Sequence, residues 1–110
     1  MGNTISKKDT SEEIDNLREQ YNILKDKTEI KDIEIRKKLY ERILEFDNTK
    51  EDDILQYMLS LLELLNRKKI DKNLFQKKLD IYTHGISKMN YAKYFTKFPR
   101  INQNQKYLTY

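Results

Sequence analysis

The chain has 110 residues, which leaves room for one domain with short tails and no more. Hydrophobic residues make up 37% and charged residues 36%, so the core must be small, and two Gly and one Pro are too few turn residues for an all-β sandwich or barrel. With no Cys and a single His, His84, a disulfide framework, a Cys nucleophile and a His/Cys zinc site within one subunit are excluded.

Residues 1–10 are polar and without periodicity and read as a tail. Thr10 or Ser11 is placed to cap a first helix, with Glu12 and Glu13 in its first turn. Ile14, Leu17, Tyr21 and Leu24 then form one narrow apolar stripe through about Lys27. Thr28 is a cap for a second helix to about Phe46, with Ile33, Tyr40, Ile43 and Leu44 on one face and Ile35, Leu39 and Phe46 widening it. No Gly or Pro separates these two segments, so one continuous or kinked helix is the alternative.

Asp47-Asn48-Thr49 reads as a loop, with Thr49 capping a third helix whose first turn carries Glu51, Asp52 and Asp53. Nine apolar residues between Ile54 and Leu65 leave it little polar face, which marks the core helix and outweighs the docking pattern that Leu61-Leu62-Glu63-Leu64-Leu65 also fits. Asp71 is a cap for a fourth helix with Leu74, Phe75, Leu79 and Tyr82 inward, and Gly85 is placed as its left-handed terminator. His84 beside it suits a helix C-terminus and needs no catalytic role. Ser87 caps a short fifth helix that Pro99 ends. The expected fold is all-α: a bundle of about four helices over 11–86, then a basic aromatic segment over 87–110 containing the short helix and an irregular tail.

The net charge of +4 is unevenly placed: residues 1–46 sum to −1, residues 47–80 to zero and residues 81–110 to +5. Ile, Lys, Asn, Tyr and Phe account for 50 residues, a bias expected of AT-rich coding DNA such as that of large DNA viruses and some protists, so the lysine count alone does not argue for a polyanion partner.

The most specific signal is Met1-Gly2-Asn3-Thr4-Ile5-Ser6 followed by Lys7 and Lys8. It resembles the start of eukaryotic and viral N-myristoylated proteins, which implies acylation of Gly2 after Met1 is removed, with Ser6 as the deciding residue of the motif. One myristoyl chain binds membranes only marginally, with K on the order of 10⁴ M⁻¹, so a second contribution is needed. There is no Cys to palmitoylate, which leaves cationic groups, each contributing about 1 kcal/mol near an anionic surface. Lys7 and Lys8 are two of these.

The C-terminal segment is a further source. Tyr91, Tyr94, Phe95 and Phe98 fall at i, i+3, i+4 and i+7, with Lys93 and Lys97 opposite and Arg100 just beyond. Such a helix either lies in a lipid or partner interface or folds back to bury its rings, and the fold-back is favoured because four aromatics are a large share of so small a core. Rings interleaved with cations also suit single-stranded nucleic acid, although no RRM-type or OB-type signature accompanies them.

No transmembrane run and no signal-peptide apolar segment is read from the sequence, and no metal, cofactor or acid/base pair stands out. The functional expectation is therefore a non-catalytic, N-myristoylated protein on the cytoplasmic face of a membrane, binding an anionic lipid surface and an unidentified protein. A small nucleic-acid-binding module using the C-terminal segment is the alternative.

Overall fold

The computed structural model describes residues 7–99, with side chains from residue 11 onward. It is an all-helical bundle: α1 (Lys7–Leu24), α2 (Ile30–Phe46), α3 (Glu51–Asn66), α4 (Lys72–Tyr82), a single 3-10 turn at Thr83–Gly85, and α5 (Lys88–Tyr94).

The register of contacts between the helices determines their arrangement. Tyr21 meets Tyr40 and the Arg36 guanidinium reaches the Lys25 carbonyl, so α1 and α2 run antiparallel. Glu41 pairs with Tyr57 and Arg36 with Glu63, so α2 and α3 do too. Arg18 meets Asp53 and Tyr21 meets Gln56, a constant offset of 35 residues that makes α1 and α3 parallel neighbours. On α3, Asp53 and Gln56 face α1, whereas Ile54 and Tyr57 face the segment Tyr82–Gly85. The antiparallel pair α2/α3 is thus central, with α1 on one side and α4 on the other.

Several local expectations are corrected. Thr10 and Ser11 lie inside α1 (Lys7–Leu24) rather than capping it. The join after Leu24 is a turn, so α1 and α2 are separate helices, and α2 starts at an extended Glu29 rather than on a Thr28 cap. Thr49 is not the cap of α3, since its N–H and hydroxyl both donate to Asp47 Oδ1 and Lys50 takes the cap position. Asp71 and Ser87 do cap: their side chains accept the Leu74 and Asn90 N–H groups at 2.7 and 3.2 Å.

The core is formed by Leu17 of α1, by Ile33, Leu39, Tyr40, Ile43 and Leu44 of α2, and by Ile54, Tyr57, Met58, Leu61 and Leu64 of α3. Phe75 and Leu79 of α4 complete it together with Ile86. Leu59, Leu62 and Leu65 are only half-buried, so the centre of α3 is the Met58–Leu61–Leu64 side. Ile35 and Leu74, both expected inward, are exposed.

Gly85 is not a left-handed terminator, because no glycine has a positive φ among the described residues. Its value is space: a Cβ there would lie 2.3 Å from Ile54 Cδ1. The left-handed residue is Lys68, with φ of 62°, at the end of α3. The Lys69 N–H donates to the Leu64 carbonyl and the Lys68 N–H to the Leu65 carbonyl, both at 2.9 Å, which is the Schellman arrangement with lysine where glycine is usual.

Candidate functional site

The C-terminal segment folds back. Tyr91, Phe95 and Phe98 are buried, with the Phe75 ring 4.6 Å from Phe98 and 6.2 Å from Phe95 between centroids. The Tyr91 hydroxyl donates to the Phe98 carbonyl, and Gln76 Nε2 of α4 donates to the Pro99 carbonyl. Phe98 lies beyond the end of α5 and returns to the core through a turn, so the four aromatics do not form one helical stripe. Three of the rings singled out for a membrane, partner or base-stacking face are thereby committed to the core. Tyr94 is half-buried, and Lys93 sits over its ring at 5.1 Å.

The start of α5 is pinned to α3. Glu51 Oε2 accepts the Ser87 N–H at 2.7 Å and the Asn90 amide at 2.9 Å. These bonds hold the Glu51 carboxyl below its usual pKa, the Ser87 N–H having the largest effect. A residue expected only to complement the α3 dipole therefore also positions α5.

Lys93 and Lys97 remain exposed, while Gly2, Ser6, Arg100 and the side chains of Lys7 and Lys8 lie outside the described residues. The helix boundaries show that these lysines belong to a larger set. Residues 11–66, through the end of α3, hold nine Lys/Arg and fifteen Asp/Glu, a net of −6. Residues 67–99 hold nine Lys/Arg and two Asp/Glu, a net of +7. The protein is electrically divided, with the cationic part on the α4 side of the central pair.

The two parts also use their cations differently. All four arginines between residues 11 and 99 are ion-paired: Arg18 with Asp53, Arg36 and Arg67 with Glu63, and Arg42 with Glu45. None of the eight lysines from Lys68 to Lys97 has a carboxylate oxygen within 4.0 Å among the described residues. The described arginines are thus all engaged in internal pairs, whereas seven of these eight lysines are exposed and Lys78 is half-buried.

A second feature is an open cleft of about 800 Å³ between α1 and α3, lined among others by Arg18, Tyr21, Lys25, Tyr40, Asp53 and Gln56. Its central groups already satisfy one another. Asp53 accepts from Arg18 at 2.6 Å, and the Tyr21 hydroxyl donates to Gln56 at 2.9 Å. Burial pushes the Tyr40 hydroxyl up to about 12, so it stays protonated across the physiological range. Among the described residues no group of three His, Cys, Asp or Glu side chains is arranged to hold a metal ion, and no helix is long and apolar enough to cross a membrane.

No protein-family model, curated protein or solved structure was found to match the chain.

Proposed function

We propose that this is a non-catalytic peripheral protein of an anionic membrane surface, anchored on its cytoplasmic face by a myristoyl group on Gly2 and by its cationic half. The net-negative α1–α3 half is then left facing a protein partner. The observation that carries this reading is the division of charge, with eight lysines on the α4 side that no carboxylate among the described residues occupies. Unpaired lysines cost self-repulsion in the folded state, and an anionic surface relieves it.

The energetics fit a two-part anchor. The acyl chain gives K on the order of 10⁴ M⁻¹, and three or four lysines near the headgroups at about 1 kcal/mol each would turn marginal binding into stable attachment. The bundle geometry suits this. The Glu51 contacts place α5 at the α3 N-terminal end, and the N-terminal part of α1 runs past that same end.

The test is intact-mass analysis of protein from eukaryotic cells, where one myristoyl group is expected on the parent and none on Gly2→Ala. The parent should float with vesicles containing anionic lipid, less so at high salt, and Gly2→Ala should be largely released. An unmodified mass, or Gly2→Ala bound as tightly as the parent, would sink the acyl part of the reading.

A further inference from the structure

We infer that the outer face of α4, formed by Leu74, Lys77, Lys78 and Ile81, is the surface that enters an anionic lipid interface. This deepens the reading above and rests on it for the partner, but it requires no acyl group. The four residues fall at i, i+3, i+4 and i+7 and therefore share one side of the helix. Phe75 and Leu79 point away from that side into the core. Leu74 is 39% and Ile81 59% exposed, one at each end of the strip, with the exposed Lys77 and the half-buried Lys78 between them.

An exposed leucine and isoleucine with intervening lysines match the chemistry of a bilayer interface. The apolar side chains are long enough to reach the acyl boundary, while each lysine lays its methylene stem along them and lifts its ammonium to the headgroups. The charge around the strip is complementary to lipid phosphate over a wide area, since residues 67–99 carry +7. The carboxylate nearest in sequence, Asp80, is turned to Gln76, whose Nε2 donates to it at 3.0 Å. In the net-negative half the exposed large apolar residues among those described stand singly: Ile23 on α1 and Ile35 on α2. α5 repeats the pairing on a smaller scale, with exposed Met89 four residues before Lys93.

The identity of the cations favours lipid over a protein or nucleic-acid partner. Planar, bidentate recognition of a fixed carboxylate or phosphate uses the arginine fork, and the described arginines are already engaged internally. Lysine is a mobile point charge, suited to a fluid layer of headgroups with no fixed register.

The experiment uses the full chain made in bacteria, and therefore unacylated, with vesicles of phosphatidylcholine alone or mixed with phosphatidylserine. The parent should bind the mixed vesicles and bind the neutral ones weakly. Lys77→Gln with Lys78→Gln should weaken binding to mixed vesicles by roughly 30-fold. Leu74→Ser with Ile81→Ser should weaken it by roughly tenfold at unchanged charge. Ile35→Ser, an exposed apolar residue of the other half, should bind like the parent, and all variants should keep the parental melting temperature.

Parental binding by the Leu74/Ile81 variant would overturn insertion and leave a purely electrostatic surface open to any polyanion. No binding of the unacylated parent to mixed vesicles, together with binding to an acidic polypeptide or single-stranded nucleic acid, would overturn it in favour of that partner. The two readings fail separately. If only acylated protein binds and the α4 variants have no effect on it, the α4 face falls while the anchor stands, and if eukaryotic protein is unmodified but the α4 variants lose binding, the reverse holds.

Discussion

The Arg18 guanidinium lies 2.6 Å from Asp53 Oδ2, and it is the partner of a carboxylate whose residue is only 3% exposed. The pair joins two parallel helices, α1 and α3, across 35 residues of sequence. Arg18→Ala would leave the Asp53 charge buried without its partner. A fully buried pair broken this way costs about 3–5 kcal/mol, and because Arg18 is partly solvated the expected loss is about 2 kcal/mol. Replacing both together, Arg18→Met with Asp53→Leu, should restore most of it. Urea denaturation of the three variants measures this, and a double variant no more stable than Arg18→Ala would show that the pair does more than neutralise charge.

Gly85 and Ile54 set the second prediction. A Cβ on Gly85 would lie 2.3 Å from Ile54 Cδ1, and Ile54 is itself buried and cannot simply swing into solvent. Gly85→Ala should therefore destabilise by about 1–3 kcal/mol through overpacking. Adding Ile54→Val removes the clashing methyl and should recover part of the loss, although Ile54→Val alone costs about 1 kcal/mol. Additive losses in the double variant would mean that backbone conformation, not space, is what Gly85 supplies.

Lys68 carries the left-handed turn that ends α3, with φ of 62°. A β-carbon there is unfavourable, and the side chain is exposed and unpaired, so little is lost by removing it. Lys68→Gly should stabilise the protein by about 0.5–1 kcal/mol, seen as a rise of a few degrees in melting temperature. A fall would place the lysine in a contact that offsets its backbone cost.

The elements that could be read from the sequence are those whose signals are local. The apolar stripes of α1 to α4 and the caps Asp71 and Ser87 depend on residues three or four apart, and the structure has them. Three expected threonine or serine caps failed, two of them because a neighbouring residue took the position, as when Thr49 turns back to Asp47, and other features that escaped depend on partners distant in sequence. Arg36 is buried in the α2 face because its guanidinium donates to the Lys25 carbonyl at 2.7 Å and to Glu63 at 3.1 Å, and no pattern within α2 announces that. Leu74 and Phe75 are adjacent apolar residues, and periodicity alone did not decide which of them faces the core. Phe98 kept its burial but not its helix, since the residues before Pro99 are biased away from helical geometry. The charge division was hidden because counting through residue 80 sets the lysines of α4 against the acidic first turn of α3, and only the end of α3 at Asn66 separates them.

The last prediction concerns alkaline pH. Burial raises the Tyr40 hydroxyl to about 12, and it raises Tyr57 as well, where the hydroxyl donates to Glu41 Oε2 at 3.0 Å and the carboxylate adds to the effect. In the unfolded chain both ionise near 10.0, so above that pH the native state holds more protons than the unfolded state. The stabilising contribution is complete below about pH 10 and is lost as pH rises through the folded values. Stability to urea should accordingly be level with respect to these groups up to pH 10 and then fall steeply toward pH 12. The comparison that isolates the tyrosines is Tyr40→Phe with Tyr57→Phe, which removes both titrating hydroxyls and should flatten the decline. Tyrosinate absorbance of the parent should rise late for Tyr40 and Tyr57, and to a lesser extent for Tyr21 and Tyr82, which burial also raises, in step with loss of helical circular dichroism. If the parent and the double variant lost stability in parallel above pH 10, these two hydroxyls would not be the alkaline trigger, and Tyr21 and Tyr82, whose hydroxyls burial also raises, would be the next to replace.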